Sequence, residues 1–156
     1  MLSARMIQLI ETHANALTRD VLEDILTNER TRTIRMLRKE ELELRICALY
    51  TNLGNWIGEP NDDVVRKEYE DWGRFRFRQG IPLSELVYCV ILTKRRLRRY
   101  IRENDVFVSG GSSELLPVGL YSIQELNYRI GEFFDSALYY VARGCEAEAP
   151  GKRATA

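Results

Sequence analysis

The sequence predicts an all-α protein, a bundle of about five main helices in one domain. Three observations indicate this class. Apolar residues recur at spacings of three and four along most of the 156-residue chain, as they do in helices with one buried face. Proline and glycine occur where helices would begin or end. A chain of this length can also bury enough surface to form one hydrophobic core.

The first two predicted helices are separated by a polar connector. Apolar positions at helical spacing predict the first helix over residues 3–28, with a break near Asn15. The connector follows over residues 29–35. The second helix is predicted over residues 37–57, because Gly58 and Pro60 then stop it.

The third and fourth helices meet at a glycine and a proline. Asn61 is the predicted N-cap of the third helix, which extends to about Gln79. Its last residues read GRFRFR and alternate as a strand would, but the alternation is short and Gly80 stands where a C-cap belongs. We therefore predict helix there too. Pro82 fits the first turn of a fourth helix over residues 83–103.

The last helix and the C-terminus complete the organisation. A loop rich in glycine and serine is predicted over residues 108–113, and the last helix becomes regular after Pro117. The chain closes on EAEAPGKRATA, which has the composition of a disordered tail. We expect one helical sensor or interaction domain over residues 1–146 and a disordered tail over residues 147–156.

Charge and apolar run length restrict the classes of function. The 23 Lys and Arg balance the 23 Asp and Glu, whereas a nucleic-acid module usually carries a basic excess. The longest apolar run, Leu86 to Leu92, is too short to span a bilayer. Charged residues interrupt the apolar ones near Met1, which argues against a signal peptide. We expect a cytoplasmic protein without a membrane segment.

The residue types that usually catalyse reactions or bind metals form no recognisable set. His13 is the only histidine and has no cysteine near it at metal-ligand spacing. Cys47, Cys89 and Cys145 lie far apart without CxxC spacing, so we expect reduced thiols. No nucleophile and base pair and no phosphate-binding loop is evident. The sequence therefore predicts no enzyme activity, no metal and no cofactor.

The first half of the fourth helix is apolar on all sides, which is typical of a central helix or of one that also forms an interface. Tyr88, Ile91 and Leu92 lie opposite or beside its main apolar stripe. We predict that these three side chains contact a second copy of the chain in a homodimer.

The second half of the same helix contains the stretch TKRRLRRYIREN. On a helical wheel, Arg95, Arg98, Arg99 and Arg102 share one face away from the apolar stripe. Lys94 falls near that stripe, so it should either snorkel or pair with a carboxylate. Three interpretations of the arginine face stay open: a solvated helix end, a surface for an acidic protein partner, and a nucleic-acid contact.

A third candidate site is a small-molecule pocket inside the bundle. Bundles build such sites between their helices, and Trp56, Tyr88 and Phe134 are the residues that we expect to line one. The competing interpretation of the aromatic residues is ordinary core packing.

Three segments together resemble a known family. They are RFRQGIPLSELVYCVILTKRRLRRYIRE at 76–103, LYSIQEL at 120–126 and EFFDSALYYVARGCE at 132–146. They are similar to the N-terminal sensor domain of RsbR-type regulators, the RsbT co-antagonists of bacterial stressosomes. This resemblance implies a globin-like bundle without haem that dimerises and receives a signal. A haem globin also needs a histidine on a late helix, and none follows His13.

The resemblance implies a non-catalytic signal-input or protein-interaction domain of a bacterial stress response. A STAS-domain protein or a kinase is the partner that it implies. Family members carry an output domain after the sensor, and none is evident after Glu146. We therefore expect either a free-standing sensor that acts in trans or the input part of a longer regulator. A nucleic-acid-binding regulator and a small-molecule sensor are the alternatives.

Overall fold

The computed structural model describes residues 2–58, 62–109 and 116–150, and all regular elements in these ranges are helical. The prediction of an all-α bundle is therefore confirmed. Two short 3-10 turns, Glu29–Thr31 and Ile34–Met36, form the connector. The α-helices in chain order are α1 Leu2–Thr12, α2 Ala14–Thr27, α3 Lys39–Thr51, α4 Leu53–Ile57, α5 Asp62–Arg78, α6 Leu83–Ser109 and α7 Leu116–Glu148.

Each of the first two predicted helices is divided into two by a polar residue. The first breaks at His13 (φ −100°, ψ 19°), two residues before the expected position. The second breaks at Asn52 (φ −111°, ψ 24°), where no break was expected. Both side chains bond to a backbone carbonyl one turn earlier, His13 to Leu9 and Asn52 to Ala48. Such local bonds offer the backbone an alternative to the helix.

The junction between α5 and α6 follows the prediction. The GRFRFR segment is helical to Arg78, and Gly80 has a φ of 90°. The N–H groups of Gly80 and Ile81 donate to the carbonyls of Phe77 and Arg76 at 3.0 and 3.1 Å. This is a Schellman motif, in which glycine adopts the left-handed conformation at no steric cost. It satisfies the last carbonyls of α5 and turns the chain into α6.

Several predicted boundaries shift or fall outside the described ranges. Val108 and Ser109 still belong to α6, so the loop begins later than expected. The N-cap predicted at Asn61 and residues 110–113 lie outside the described residues. At the C-terminus, α7 continues to Glu148, two residues into the predicted tail. The Glu148 carboxylate accepts a hydrogen bond from Arg78 at 2.8 Å, which attaches this end to α5; residues 151–156 lie outside the described part.

The closest helix crossing joins α5 and α7. Gly73 of α5 faces the backbone of Val141, and Gly144 of α7 faces the backbone of Glu70. A Cβ atom at either glycine would lie within 2.5 Å of a carbonyl oxygen of the other helix. The two glycines therefore let the backbones approach, and the Cys145 thiol completes the contact by donating to the Gly73 carbonyl at 3.6 Å.

One hydrophobic core extends from Met6 to Cys145 and includes residues of every helix. Its largest side chains with under 2% exposure are Tyr50, Phe134, Met6, Ile10, Leu17, Ile25, Ile34, Leu53, Leu86, Leu97, Ile101 and Leu126. Inside it, the Tyr50 hydroxyl donates to the Thr93 carbonyl at 2.8 Å. No helix in the described ranges is long and apolar enough to cross a membrane.

The connector between α2 and α3 is attached to the start of α6. The buried carboxylate of Glu85 accepts hydrogen bonds from the backbone N–H groups of Thr33 and Ile34 at 2.7 and 3.2 Å. This single side chain supplies the acceptor for two donors that the connector cannot pair within itself. It therefore attaches the connector to the first turn of α6.

Candidate functional site

The outward side of α6 combines aromatic, apolar and basic residues in one stripe. We call this stripe the α6 outer face and define it by Tyr88, Ile91, Arg95, Arg98, Arg99 and Arg102. At 3.6 residues per turn, these positions fall within about 100° of the helix circumference. The predicted dimer contact and the predicted basic face are therefore one continuous surface.

The four arginines of the α6 outer face are exposed. In residues 2–58, 62–109 and 116–150 none of them forms an ion pair. Other arginines are paired with carboxylates of the chain, namely Arg32, Arg45, Arg66, Arg74, Arg76, Arg78, Arg96, Arg129 and Arg143. This face thus concentrates positive charge that the chain itself leaves unmatched.

The neighbouring cations of α6 point away from this face. Lys94 lies beside the apolar stripe and its Nζ atom is 3.8 Å from the Asp135 carboxylate, so of the two predicted outcomes it pairs with a carboxylate. Arg96 is directed towards α2, where its Nε atom donates to Asp20 at 2.8 Å. These two pairs attach α6 to α7 and α2. On α6, the outward arginines are then the cations without an ion pair to another described residue.

The predicted dimer contact needs one correction, because Leu92 is only 6% exposed and belongs to the core of the chain. Its side chain packs into the core beneath the α6 outer face, so it offers almost no surface to a second copy. Tyr88 and Ile91 are half-buried and still face outwards. Arg30 Nη1 donates to the Tyr88 hydroxyl at 3.4 Å, and this hydrogen bond lowers the pKa of Tyr88.

None of the cavities that the described residues form brings Trp56, Tyr88 and Phe134 together. Phe134 is fully buried and its ring packs edge-on against Phe133, with 5.1 Å between centroids. Phe133 in turn contacts Trp56 at 5.5 Å, so these rings form a packed cluster. Tyr88 lies apart from them, on the α6 outer face. Helical spacing shows which side of α6 carries Tyr88, but it does not show which other helix, if any, packs against that side.

A groove that the sequence did not indicate lies between α3 and α5. Its volume is about 610 Å³, and α3 and α5 hardly approach each other beside it. Side chains bridge the gap instead. Arg45 of α3 pairs with Glu68 of α5 at 3.3 Å, and Arg76 of α5 pairs with Glu41 of α3 at 3.2 Å.

Sequence reasoning missed this groove because its residues are ordinary members of polar helix faces. One signal was available: Trp72 and Arg76 are four residues apart, so they share a face of α5. Both are buried. A tryptophan and an arginine buried side by side indicate that something other than bulk water must satisfy them.

An acidic groove of about 510 Å³ lies between α7 and the start of α5. Its carboxylates are engaged within the chain, since Asp62 accepts from Tyr140, Glu132 accepts from Tyr128, and Glu125 pairs with Arg129. In the part of the chain that the structure describes, no group of His, Cys, Asp or Glu is arranged to hold a metal ion.

The three cysteines are free thiols in separate places. Burial raises the pKa of Cys89 to about 12 and that of Cys145 to about 11. Both therefore stay protonated at neutral pH, and a protonated thiol is a poor nucleophile. Cys47 is half-buried and donates to the Asn15 side chain at 3.2 Å.

The class that the fold defines is an all-α helical bundle, and its described residues form a basic outer face and a side-chain-bridged groove. No protein-family model, no curated protein and no solved structure matches the chain.

Proposed function

We propose that this chain is a non-catalytic signal-input or protein-interaction domain whose α6 outer face binds an acidic surface of a partner protein. The observation that carries the proposal is the set of four exposed arginines without an ion pair in the described residues. A chain with zero net charge gains no general attraction to polyanions. The four arginines form a local cluster of positive charge, which suits recognition of one complementary protein patch.

The resemblance to RsbR-type sensor domains supports a more specific form of the proposal. The chain would then be a globin-like, haem-free domain in a cytoplasmic stress response. Its partner would be a STAS-domain protein or a kinase. Tyr88 and Ile91 would form part of a homodimer contact next to the arginines.

The helix arrangement offers a route for a signal. A change at α5 would reach α7 through the glycine crossing, and α7 packs against α6, which carries the outer face. Packed helices adopt discrete arrangements and do not deform continuously. A stimulus that favours one arrangement would therefore alter the presentation of the arginines.

The proposed partner contact predicts the effect of a charge reversal. The double substitution Arg98→Glu and Arg102→Glu should abolish capture of the acidic partner, because like charges at an interface repel. The matched control is Arg32→Glu with Arg143→Glu, two exposed arginines outside α6 with the same change in net charge. The measurement is capture from nuclease-treated lysate of the source organism, read by mass spectrometry.

The proposal is supported if the unmodified chain and the control capture the same STAS-domain or kinase protein and the α6 variant does not. Equal capture by all three chains would disprove a role for the arginines. Salt-sensitive binding of duplex or single-stranded nucleic acid that is lost in the α6 variant would establish the nucleic-acid alternative instead.

The proposed homodimer predicts that Ile91→Glu gives a folded monomer. A glutamate at this position can pair with Arg95 one turn later, so the helix should tolerate it while a second copy would have to bury the charge. Sedimentation velocity measures the state. Leu44→Glu on α3, where the native side chain is 74% exposed, is the control that should leave the dimer intact. A monomeric unmodified chain, or a dimer unaffected by Ile91→Glu, would contradict this prediction.

A further inference from the structure

The groove between α3 and α5 shares no residue with the α6 outer face, so binding in this groove can be tested separately from the proposed function. Its floor is aromatic, because Tyr69 and Trp72 are both buried there. Its rim includes two exposed apolar side chains, Leu44 and Val64, which are 74% and 50% exposed. A volume of about 610 Å³ is within the range of small-molecule sites in proteins.

Two buried donors at this groove have no acceptor among the described residues. They are the indole N–H of Trp72 and the Nε–H of Arg76. The two residues are 8% and 7% exposed and stand one turn apart on the same face of α5. An unpaired buried donor costs about 1–3 kcal/mol, and native proteins contain few of them. Two unpaired donors side by side at a groove indicate that a hydrogen-bond acceptor from a ligand belongs there.

The charge of the groove indicates which acceptor fits. The Arg45 guanidinium lies 4.5 Å from the centroid of the Trp72 ring and 5.3 Å from that of Tyr69. It therefore covers the aromatic floor beside the two unpaired donors. Burial lowers the pKa of Arg45, so its present surroundings disfavour the positive charge, and an added anion would compensate it.

The glutamates that pair with the two arginines are half-exposed, so a ligand can displace them from the arginines. Glu68 and Glu41 each make one contact of 3.3 or 3.2 Å, and their side chains are 49% and 47% exposed. The Arg45 and Arg76 side chains are only 28% and 8% exposed. The glutamates can thus turn to water at little cost while the guanidinium groups stay in the groove.

We propose that the groove between α3 and α5 binds a small monocarboxylate with an apolar body. The carboxylate replaces Glu41 and Glu68 as the acceptor for Arg45, Arg76 and the Trp72 indole. Arg45 shifts off the Trp72 ring to expose these donors. The apolar body lies against Leu44 and Trp56 at the rim.

The surroundings of Arg45 provide space for that shift. A small apolar cavity of about 40 Å³ lies behind the groove floor, and Arg45, Leu49, Tyr69 and Trp72 line both spaces. Side chains next to an empty space can change rotamer without displacing a helix. A guanidinium and a carboxylate then form the charge-assisted pair that arginine geometry favours.

The two tryptophans of the chain provide a direct test, because both Trp56 and Trp72 line the groove. The probes are octanoate, 1-octanol, which has the same chain length but no charge, and acetate, which has no apolar body. We expect a saturable change in tryptophan fluorescence with octanoate at micromolar to millimolar concentration. Binding of 1-octanol and acetate should be weaker by about tenfold or more, because each lacks one half of the recognised chemistry.

Two variants locate the binding. Arg45→Gln should weaken octanoate binding by about tenfold, as expected for loss of a charge-assisted pair. Leu44→Asp at the exposed rim should weaken it similarly without risk to the fold, since it places a negative charge beside the ligand. Arg32→Gln, at a side chain that is 73% exposed and does not line the groove, should have no effect. Circular dichroism verifies that each variant is helical.

No saturable response to octanoate, or an equal response to 1-octanol, would disprove the carboxylate site. A response that Leu44→Asp leaves unchanged would place the binding elsewhere and would equally disprove the proposal. Neither result bears on the α6 outer face, which the charge-reversal capture tests separately.

Discussion

Replacing Gly144 with alanine should lower the free energy of unfolding by about 3 kcal/mol or more. The added Cβ would lie 2.2 Å from the carbonyl oxygen of Glu70 and 3.0 Å from the backbone nitrogen of Arg74. Both atoms belong to the backbone of α5, so no side chain can rotate away to relieve the overlap. The helices must separate, and the packing around their crossing is lost.

The control for this prediction lies in the same helix. A Cβ at Gly131 would meet no atom within 4 Å, so Gly131→Ala should raise stability by about 0.5–1 kcal/mol through helix propensity alone. Urea unfolding followed by circular dichroism measures both variants. If Gly144→Ala were as stable as Gly131→Ala, the close approach of α5 and α7 would be wrong. The route proposed for the signal would be wrong with it.

The α5–α7 crossing also bears on the groove. Trp72 and Gly73 are neighbours, so the α5 segment held against α7 is the one that supplies the groove floor. A ligand that moves Trp72 would act on the helix crossing directly. Octanoate binding should therefore change the protection of the amides around Gly144, which hydrogen exchange can measure.

Phe134→Ala should lower the free energy of unfolding by about 4 kcal/mol. The Phe134 ring is fully buried and contacts the edge of Phe133. It already borders a cavity of about 40 Å³, and truncation would enlarge that space in a region where α6 and α7 meet. Large-to-small substitutions cost most where the surroundings cannot collapse into the hole.

Tyr139→Ala in the same helix is the matched control. That side chain is 59% exposed, so its removal should cost less than about 1 kcal/mol. Chemical denaturation distinguishes the two variants. A loss below about 1 kcal/mol for Phe134→Ala would mean that its ring faces an open space, as the pocket hypothesis from the sequence required, and not a packed core.

Local physical chemistry accounts for what the sequence predicted correctly. Helical periodicity identified the class, and the Gly80 cap outweighed the strand-like GRFRFR pattern because only glycine adopts the left-handed turn without strain. The wheel also placed Lys94 beside the apolar stripe and the four arginines outside it. Each of these features depends on residues within a few positions of one another.

The errors have a different origin. The helix breaks at His13 and Asn52 depend on one side-chain bond each, and a polar residue on a helix shows no sign of whether it will make that bond. Leu92 was assigned to an interface because α6 is apolar all round, and the sequence could not tell which apolar side the same chain would cover. Burial depends on the neighbours that a helix meets.

The sequence by itself determined the all-α class, the orientation of the arginines on α6 and the turn at Gly80, because periodicity and backbone preference act along the chain. Only the tertiary structure decided that Leu92 is buried in the core of the chain while Tyr88 and Ile91 stay beside the arginines at the surface. It alone placed Arg45 of α3 over Trp72 of α5. Such contacts join residues far apart in sequence, and the way in which the helices cross determines which of them form.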